Sequence, residues 1–143
     1  MRSLTTCCGS VRWSMQPDRE RLRLSALLGF VAIALGSMGA HGPVHERLKA
    51  AGVLAHWETA LNYHLPHTFM LVLLSLFGTN GGKGVSWSWR CFFAGILLFS
   101  GSLYLLAYTG QSWLAHVTPF GGVSLMAGWL LLALSRWQAP KLS

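Results

Sequence analysis

The chain has 143 residues, room for one domain, with 52% hydrophobic and 10% charged residues and a net charge of +7. Average soluble domains carry about 25% charged residues, so this composition argues against a soluble protein and for one immersed in lipid. Five of the eleven basic residues fall in the first 23 positions and no basic stripe interleaved with aromatics follows, which points to a membrane topology signal and away from nucleic acid.

The N-terminal segment MRSLTTCCGSVRWSMQP has Arg2, Arg12, several Ser and Thr, and no acid. That is the composition of a weak transit peptide, or of an overlong start with translation beginning at Met15. Residues 1–21 are expected to be a disordered or spurious extension. Cys7, Cys8 and Cys91 form no C-x-x-C pair or disulfide framework.

Beyond that segment, no Asp, Glu, Lys or Arg occurs in 24–45, in 59–82 or in 91–135. A hydrocarbon core about 30 Å thick takes roughly 20 apolar residues as helix. The first two gaps therefore hold one span each. The third would extend about 68 Å as a single helix, so it holds two. The expected fold is all-α, an integral membrane four-helix bundle over residues 22–136. Its spans lie at about 24–41, 60–78, 91–108 and 118–135, with a cytoplasmic tail at 137–143.

In span 1, Ala32, Gly36 and Ala40 recur at i, i+4 and i+8, a small-residue face that admits another helix. In 43–59, Val44, Leu48, Ala51 and Ala55 fall at helical spacing apart from Glu46, Arg47 and Lys49. This predicts a short amphipathic helix on the membrane surface, with Trp57 in the headgroup layer. Span 2 has a polar first half, Asn62, Tyr63, His64 and His67, interrupted by Pro66. The stretch TNGGKGVSWSW reads as a loop, and Gly110, Gln111, Ser112 and Pro119 mark the turn between spans 3 and 4. Span 4 carries a second small face, Gly121, Ser124 and Gly128. Trp87, Trp89, Trp113 and Trp137 fall near span ends, as an aromatic belt would. Nine Lys and Arg flank one side and only Arg47 and Lys49 the other, so both termini are expected in the cytoplasm.

Four motifs in order, GAHG at 39–42, W-x-T-A-x-x-Y-H-x-x-H from Trp57 to His67, FSGSLYLLAYTG at 99–110 and TPFGGVSLMAGWLLLAL at 118–134, resemble those of YgdD-like proteins. These small inner-membrane proteins form the domain of unknown function 423 family, with a eukaryotic branch called transmembrane protein 256. The resemblance covers about Leu24 to Leu134. Gly39, Ala40, His41, Gly42, Trp57, His64, His67, Pro119, Gly121, Gly122 and Trp129 match its motifs, while Pro66 stands where a bulky apolar residue is expected. The resemblance implies a multi-pass membrane protein, with bacterial inner membrane preferred over mitochondrial membrane, and it carries no activity.

The residues that could carry chemistry are His41, Asn62, Tyr63, His64 and His67. His64 and His67, three apart on a helix, share a face, and His67 would sit about 10 Å below the start of span 2. His41 closes span 1 on the same membrane side, so the three imidazoles can converge. Such a group suits polar packing, a proton or small-polar-ligand site, or a metal or haem. A structural metal site normally has four ligands and no fourth is evident. Ser100, Ser102 and Tyr104 could line a cavity, although Ser in a membrane helix commonly bonds its own backbone. No Ser-His-Asp arrangement, carboxylate pair or nucleotide motif occurs, so no enzyme activity and no cofactor are expected. The reading is a non-enzymatic inner-membrane component whose partners are the bilayer and a homo- or hetero-oligomer formed through the small-residue faces. The alternatives are a small-solute or proton-coupled transporter using the histidines, and a haem- or metal-binding redox subunit.

Overall fold

The computed structural model describes residues 17–77 and 82–135, all helix and turn with no strand among them. The extension up to residue 16, Gly78 at the expected end of span 2 and the tail from 136 onward lie outside the described residues.

Helix α1 (Arg19–Ala40) starts inside the segment expected to be disordered. Asp18 is the reason: its carboxylate accepts the Arg21 N–H at 3.2 Å and pairs with the Arg21 guanidinium, capping the first turn. At the far end His41 is extended and Gly42 has φ +82°, a conformation that glycine adopts without strain, so the chain turns sharply. Pro43 then opens α2 (Gly42–Ala50), which buries Leu48 and exposes Glu46, Arg47 and Lys49.

The amphipathic segment expected over 43–59 is broken at Gly52, where φ is +70°. Its second half belongs to α3 (Leu54–Phe77), which runs through Pro66 without interruption. Trp57 is consequently buried against the protein and not exposed at its surface. Its Nε1 donates to the Leu35 carbonyl at 3.0 Å, and its ring meets Tyr104 edge-on at 4.8 Å.

Helix α4 (Gly82–Thr109) has 28 residues, beginning nine residues before the expected span. From Gly82 onward the glycine- and serine-rich stretch read as loop is helical, because Val85, Ser88, Trp89 and Phe92 fall at i, i+3, i+4 and i+7 and are all buried; its first residues, 79–81, lie outside the described residues. Trp89 is thus a core residue, donating to Ser75 Oγ at 3.0 Å, whereas Trp87 and Trp113 are exposed. Between Gly95 and Gly101 the helix widens into a π turn, Ile96–Ser100. Gly110, left-handed at φ +73°, ends α4, and α5 (Leu114–Leu134) contains Pro119, which had been assigned to the turn.

Helix α1 packs along α3, α3 along α4, and α4 most extensively along α5, while α1 and α5 share no extended contact. The arrangement is an open series, not a closed ring. The α1 seam follows Ser25, Gly29, Ala32, Gly36 and Gly39. Thr68, Leu61 and Trp57 occupy the space beside Gly29, Gly36 and Gly39. Steps of four and three residues hold such a seam against its partner, whereas the expected steps of four drift off it, which leaves Ala40 exposed. On α5, Gly121 abuts the backbone of Leu98 and Phe99, Ser124 donates to the Cys91 carbonyl at 2.8 Å, and Gly128 faces the Phe92 ring.

Two apolar clusters result. One joins Leu71, Leu74, Val85, Trp89, Phe92, Ile96 and Leu125, and the other Leu48, Trp57, Ala60, Leu103, Tyr104 and Ala107. Outside, Phe30, Ile33, Phe69, Leu105, Phe120, Met126 and Leu134 are exposed, while Ser25, Thr68, Ser75, Ser88 and Ser100 are buried. Apolar groups outward and hydroxyls inward is the pattern that suits a hydrocarbon solvent. Helices α1, α4 and α5 are long and apolar enough to cross a membrane. Helix α3 is as long, but its first half is polar.

Candidate functional site

Where α3 meets α4, a layer of polar side chains adjoins the apolar cluster that contains Tyr104. Because α3 begins at Leu54, His67 stands about 20 Å along it by helix rise, deeper than the sequence spacing alone implies. Pro66 lacks an N–H, which leaves the Asn62 carbonyl without its helical donor. One residue on, His67 Nδ1 donates to the Tyr63 carbonyl at 2.7 Å. That bond fixes the tautomer, so Nε2 accepts, and Trp129 Nε1 of α5 donates to it at 3.1 Å. Phe92 packs its ring 5.5 Å from the imidazole. His67 thus latches α3 to α5 with both nitrogens engaged.

His64 is different. Its ring lies 6.0 Å from that of Tyr104, and neither nitrogen has a hydrogen-bond partner among the described residues. The same holds for Thr68 Oγ1, Ser100 Oγ and the Tyr104 hydroxyl. These residues are 3%, 4%, 1% and 7% exposed, so water outside the protein does not reach them. His64 and Thr68 stand one turn apart on α3. Ser100 and Tyr104 stand four residues apart on the antiparallel α4; His64 is the residue that meets Tyr104, while the Thr68 methyl lies against Gly29 of α1. Leaving a hydroxyl or imidazole buried and unbonded costs about 1–3 kcal/mol each by mutational measures.

The sequence candidates therefore part company. His64 and His67 are both buried but turn to different neighbours, and His41, Asn62 and Tyr63 are exposed. Tyr63 meets Phe99 at a tilt, 4.6 Å between ring centroids, and lies parallel to the His67 ring at 6.1 Å. Among the described residues no three His, Cys, Asp or Glu are placed to hold a metal together. Of the serines and tyrosine read as cavity-lining, Ser100 and Tyr104 join the layer. Ser102 instead meets Thr118 Oγ1 at 2.8 Å and donates to the Phe99 carbonyl. Thr68 was missed, although it falls four residues after His64, on the same helical face.

The family model described as Protein of unknown function (DUF423) matches residues 35–122, a stretch that holds all four residues of the unbonded layer. The UPF0382 membrane protein of Haemophilus influenzae is 36% identical over 85% of this chain and 96% of its own length. The UPF0382 inner membrane protein YgdD of Escherichia coli is 37% identical over 80% of this chain and 87% of its own. UPF0382 membrane protein SH2409 of Staphylococcus haemolyticus is 35% identical over 80% and 93%. No solved structure matches.

Proposed function

The chain belongs to the DUF423 family of membrane proteins, and on that premise we propose that it is a non-enzymatic four-span protein of the bacterial inner membrane. It passes a small solute or protons through the polar layer between α3 and α4. The observation behind this reading is the set of five buried hydrogen-bonding atoms on His64, Thr68, Ser100 and Tyr104 that have no partner among the described residues. In hydrocarbon an intramembrane polar group of this kind marks a pathway or a ligand.

Helix α3 counts as the fourth span because its 24 residues extend about 36 Å and His64, His67 and Thr68 turn inward. Helix α2 then lies at the membrane surface with Leu48 turned toward the protein. The orientation follows from charge. The start of α1, the end of α3, the start of α4 and the end of α5 meet at one end. There Asp18 N–H donates to the Ser75 carbonyl, Arg21 to Ser86 Oγ at 2.6 Å, and Ser135 lies beside Gly84. Arg19, Arg21, Arg23, Lys83 and Arg90 belong to that end, Arg47 and Lys49 to the other, and the more basic end faces the cytoplasm.

The scaffold reading loses part of its basis, since the small-residue faces of α1 and α5 are filled by α3 and α4 of the same chain. The redox reading loses its second imidazole, since His67 has no lone pair to offer a metal. Vesicles reconstituted with the full chain test the proposal. Transport predicts a flux that His64→Ala abolishes. A scaffold predicts no flux and a complex on native gels that survives the same substitution.

A further inference from the structure

Two helix irregularities adjoin the polar layer, Pro66 in α3 and the π turn Ile96–Ser100 in α4. Serine and threonine in a membrane helix ordinarily donate to the carbonyl four residues back. Ser25, Thr59, Ser75, Thr109 and Thr118 all do so here, at 2.6–3.3 Å. Thr68 and Ser100 do not. Ser100 closes the π turn, in which the Ile96 carbonyl accepts the Gly101 N–H. On α3, Pro66 lies within the turn between His64 and Thr68. Irregular backbone at membrane depth is tolerated where it lines a cavity.

The inventory of the lining sets the chemistry of its occupant. A neutral imidazole offers one donor and one acceptor, and each of three hydroxyls offers one donor and two acceptor lone pairs. No Asp, Glu, Lys or Arg stands among them, and all the charged residues of the described helices lie near the two ends of the molecule. An ion brought to mid-membrane without a countercharge would be strongly disfavoured. A small molecule that is uncharged and both donates and accepts would meet four matched partners.

We infer that His64, Thr68, Ser100 and Tyr104 form the binding site of a small uncharged hydrogen-bonding molecule, in the size range of water to urea, beside the π turn of α4. The inference rests on the transport reading above and names the class of solute that crosses.

The test uses the full chain in liposomes of bacterial polar lipid. Water is followed by osmotic shrinkage, urea and glycerol by reswelling, and protons and potassium by entrapped dyes. The variants are Thr68→Val/Ser100→Ala, which removes both hydroxyls at nearly constant volume, and Tyr104→Phe as a second, milder change. Each is first shown to melt no lower than wild type. The expected result is a severalfold permeability to at least one uncharged probe over empty vesicles, reduced to background in the double variant and lowered in Tyr104→Phe, with no proton or potassium flux. Proton or potassium flux lost in the same variants, without uncharged permeation, would overturn the inference and leave the transport reading standing. No flux of any probe through well-folded protein would overturn both.

Discussion

Replacing Gly121 with alanine tests whether α4 and α5 touch as described. The added Cβ would fall on the backbone nitrogen of Phe99 and 2.7 Å from Leu98 C and Phe99 Cα, short of ordinary contact by about 0.7 Å. Backbone atoms in a helix cannot rotate aside, so the helices must part and strip contact from Leu125 and Phe92 alongside. Overpacking of this kind costs about 1–3 kcal/mol, and the upper end applies where both sides are backbone. Higher helix propensity returns up to ~1 kcal/mol, leaving a net loss of about 2 kcal/mol, roughly thirtyfold in the folding equilibrium. The neighbouring Gly122→Ala is the internal control. Its Cβ would sit 3.7 Å from the Phe99 ring, in ordinary contact, so propensity alone acts and the variant is neutral or slightly stabilised. Unfolding in mixed micelles by titrated dodecyl sulfate, followed by circular dichroism and tryptophan fluorescence, measures both. A Gly121→Ala protein as stable as wild type, or equal losses at 121 and 122, would refute the packing argument.

Other expectations concern the remaining contacts. A double-mutant cycle of His67→Leu and Trp129→Phe should return a coupling of about 0.6–1.7 kcal/mol, the range of interhelical hydrogen bonds in membranes; zero coupling would show the two rings to be mere neighbours. Trp57→Phe removes the bond to the Leu35 carbonyl and should lower stability by about 1–2 kcal/mol in the same micelle titration, while Trp87→Phe, on the outer surface, should be silent. Single cysteines introduced at Lys83 and Ser135 should label from the cytoplasmic side and one at Lys49 from the opposite side; the reverse pattern would invert the orientation. Tyr104→Phe removes a buried hydroxyl that bonds no other described residue and should leave the protein as stable as wild type or more stable by up to about 1–3 kcal/mol; a loss above about 2 kcal/mol would place an unseen protein partner on it.

Much of the fold was legible because its signals were compositional. The three charge-free gaps located four helical hairpin arms, and the Gly121, Ser124 and Gly128 spacing picked out the α5 face that meets α4. What was misread turned on competition between local and tertiary preferences. The residues GKGVSWSW look like a turn by glycine and serine content, yet burial of Val85, Ser88 and Trp89 against α3 and α5 makes them helix. Ala32, Gly36 and Ala40 fit a four-residue repeat, but a seam against one neighbour follows alternating steps of four and three, selecting Gly39 and leaving Ala40 outside. Trp57 satisfied the rule for interfacial tryptophans and was buried all the same, because the missing side chain of Gly39 makes room for its indole.

The candidate site was half legible. His64, Ser100 and Tyr104 carried a visible signal, polar side chains in otherwise apolar spans. The separate fates of His64 and His67 were not, because three residues apart on a helix means about 60° of rotation, enough to point one at Tyr104 and the other at Trp129. Nor does a sequence announce the π turn at Ile96–Ser100.

The account stands most directly on the state of the layer between α3 and α4. A high-resolution structure of the full chain in a lipid nanodisc would decide it. The account predicts density within hydrogen-bond distance of at least three of the side chains of His64, Thr68, Ser100 and Tyr104. A dry layer, with Thr68 and Ser100 donating to carbonyls of their own helices and His64 bonded to Tyr104, would contradict it.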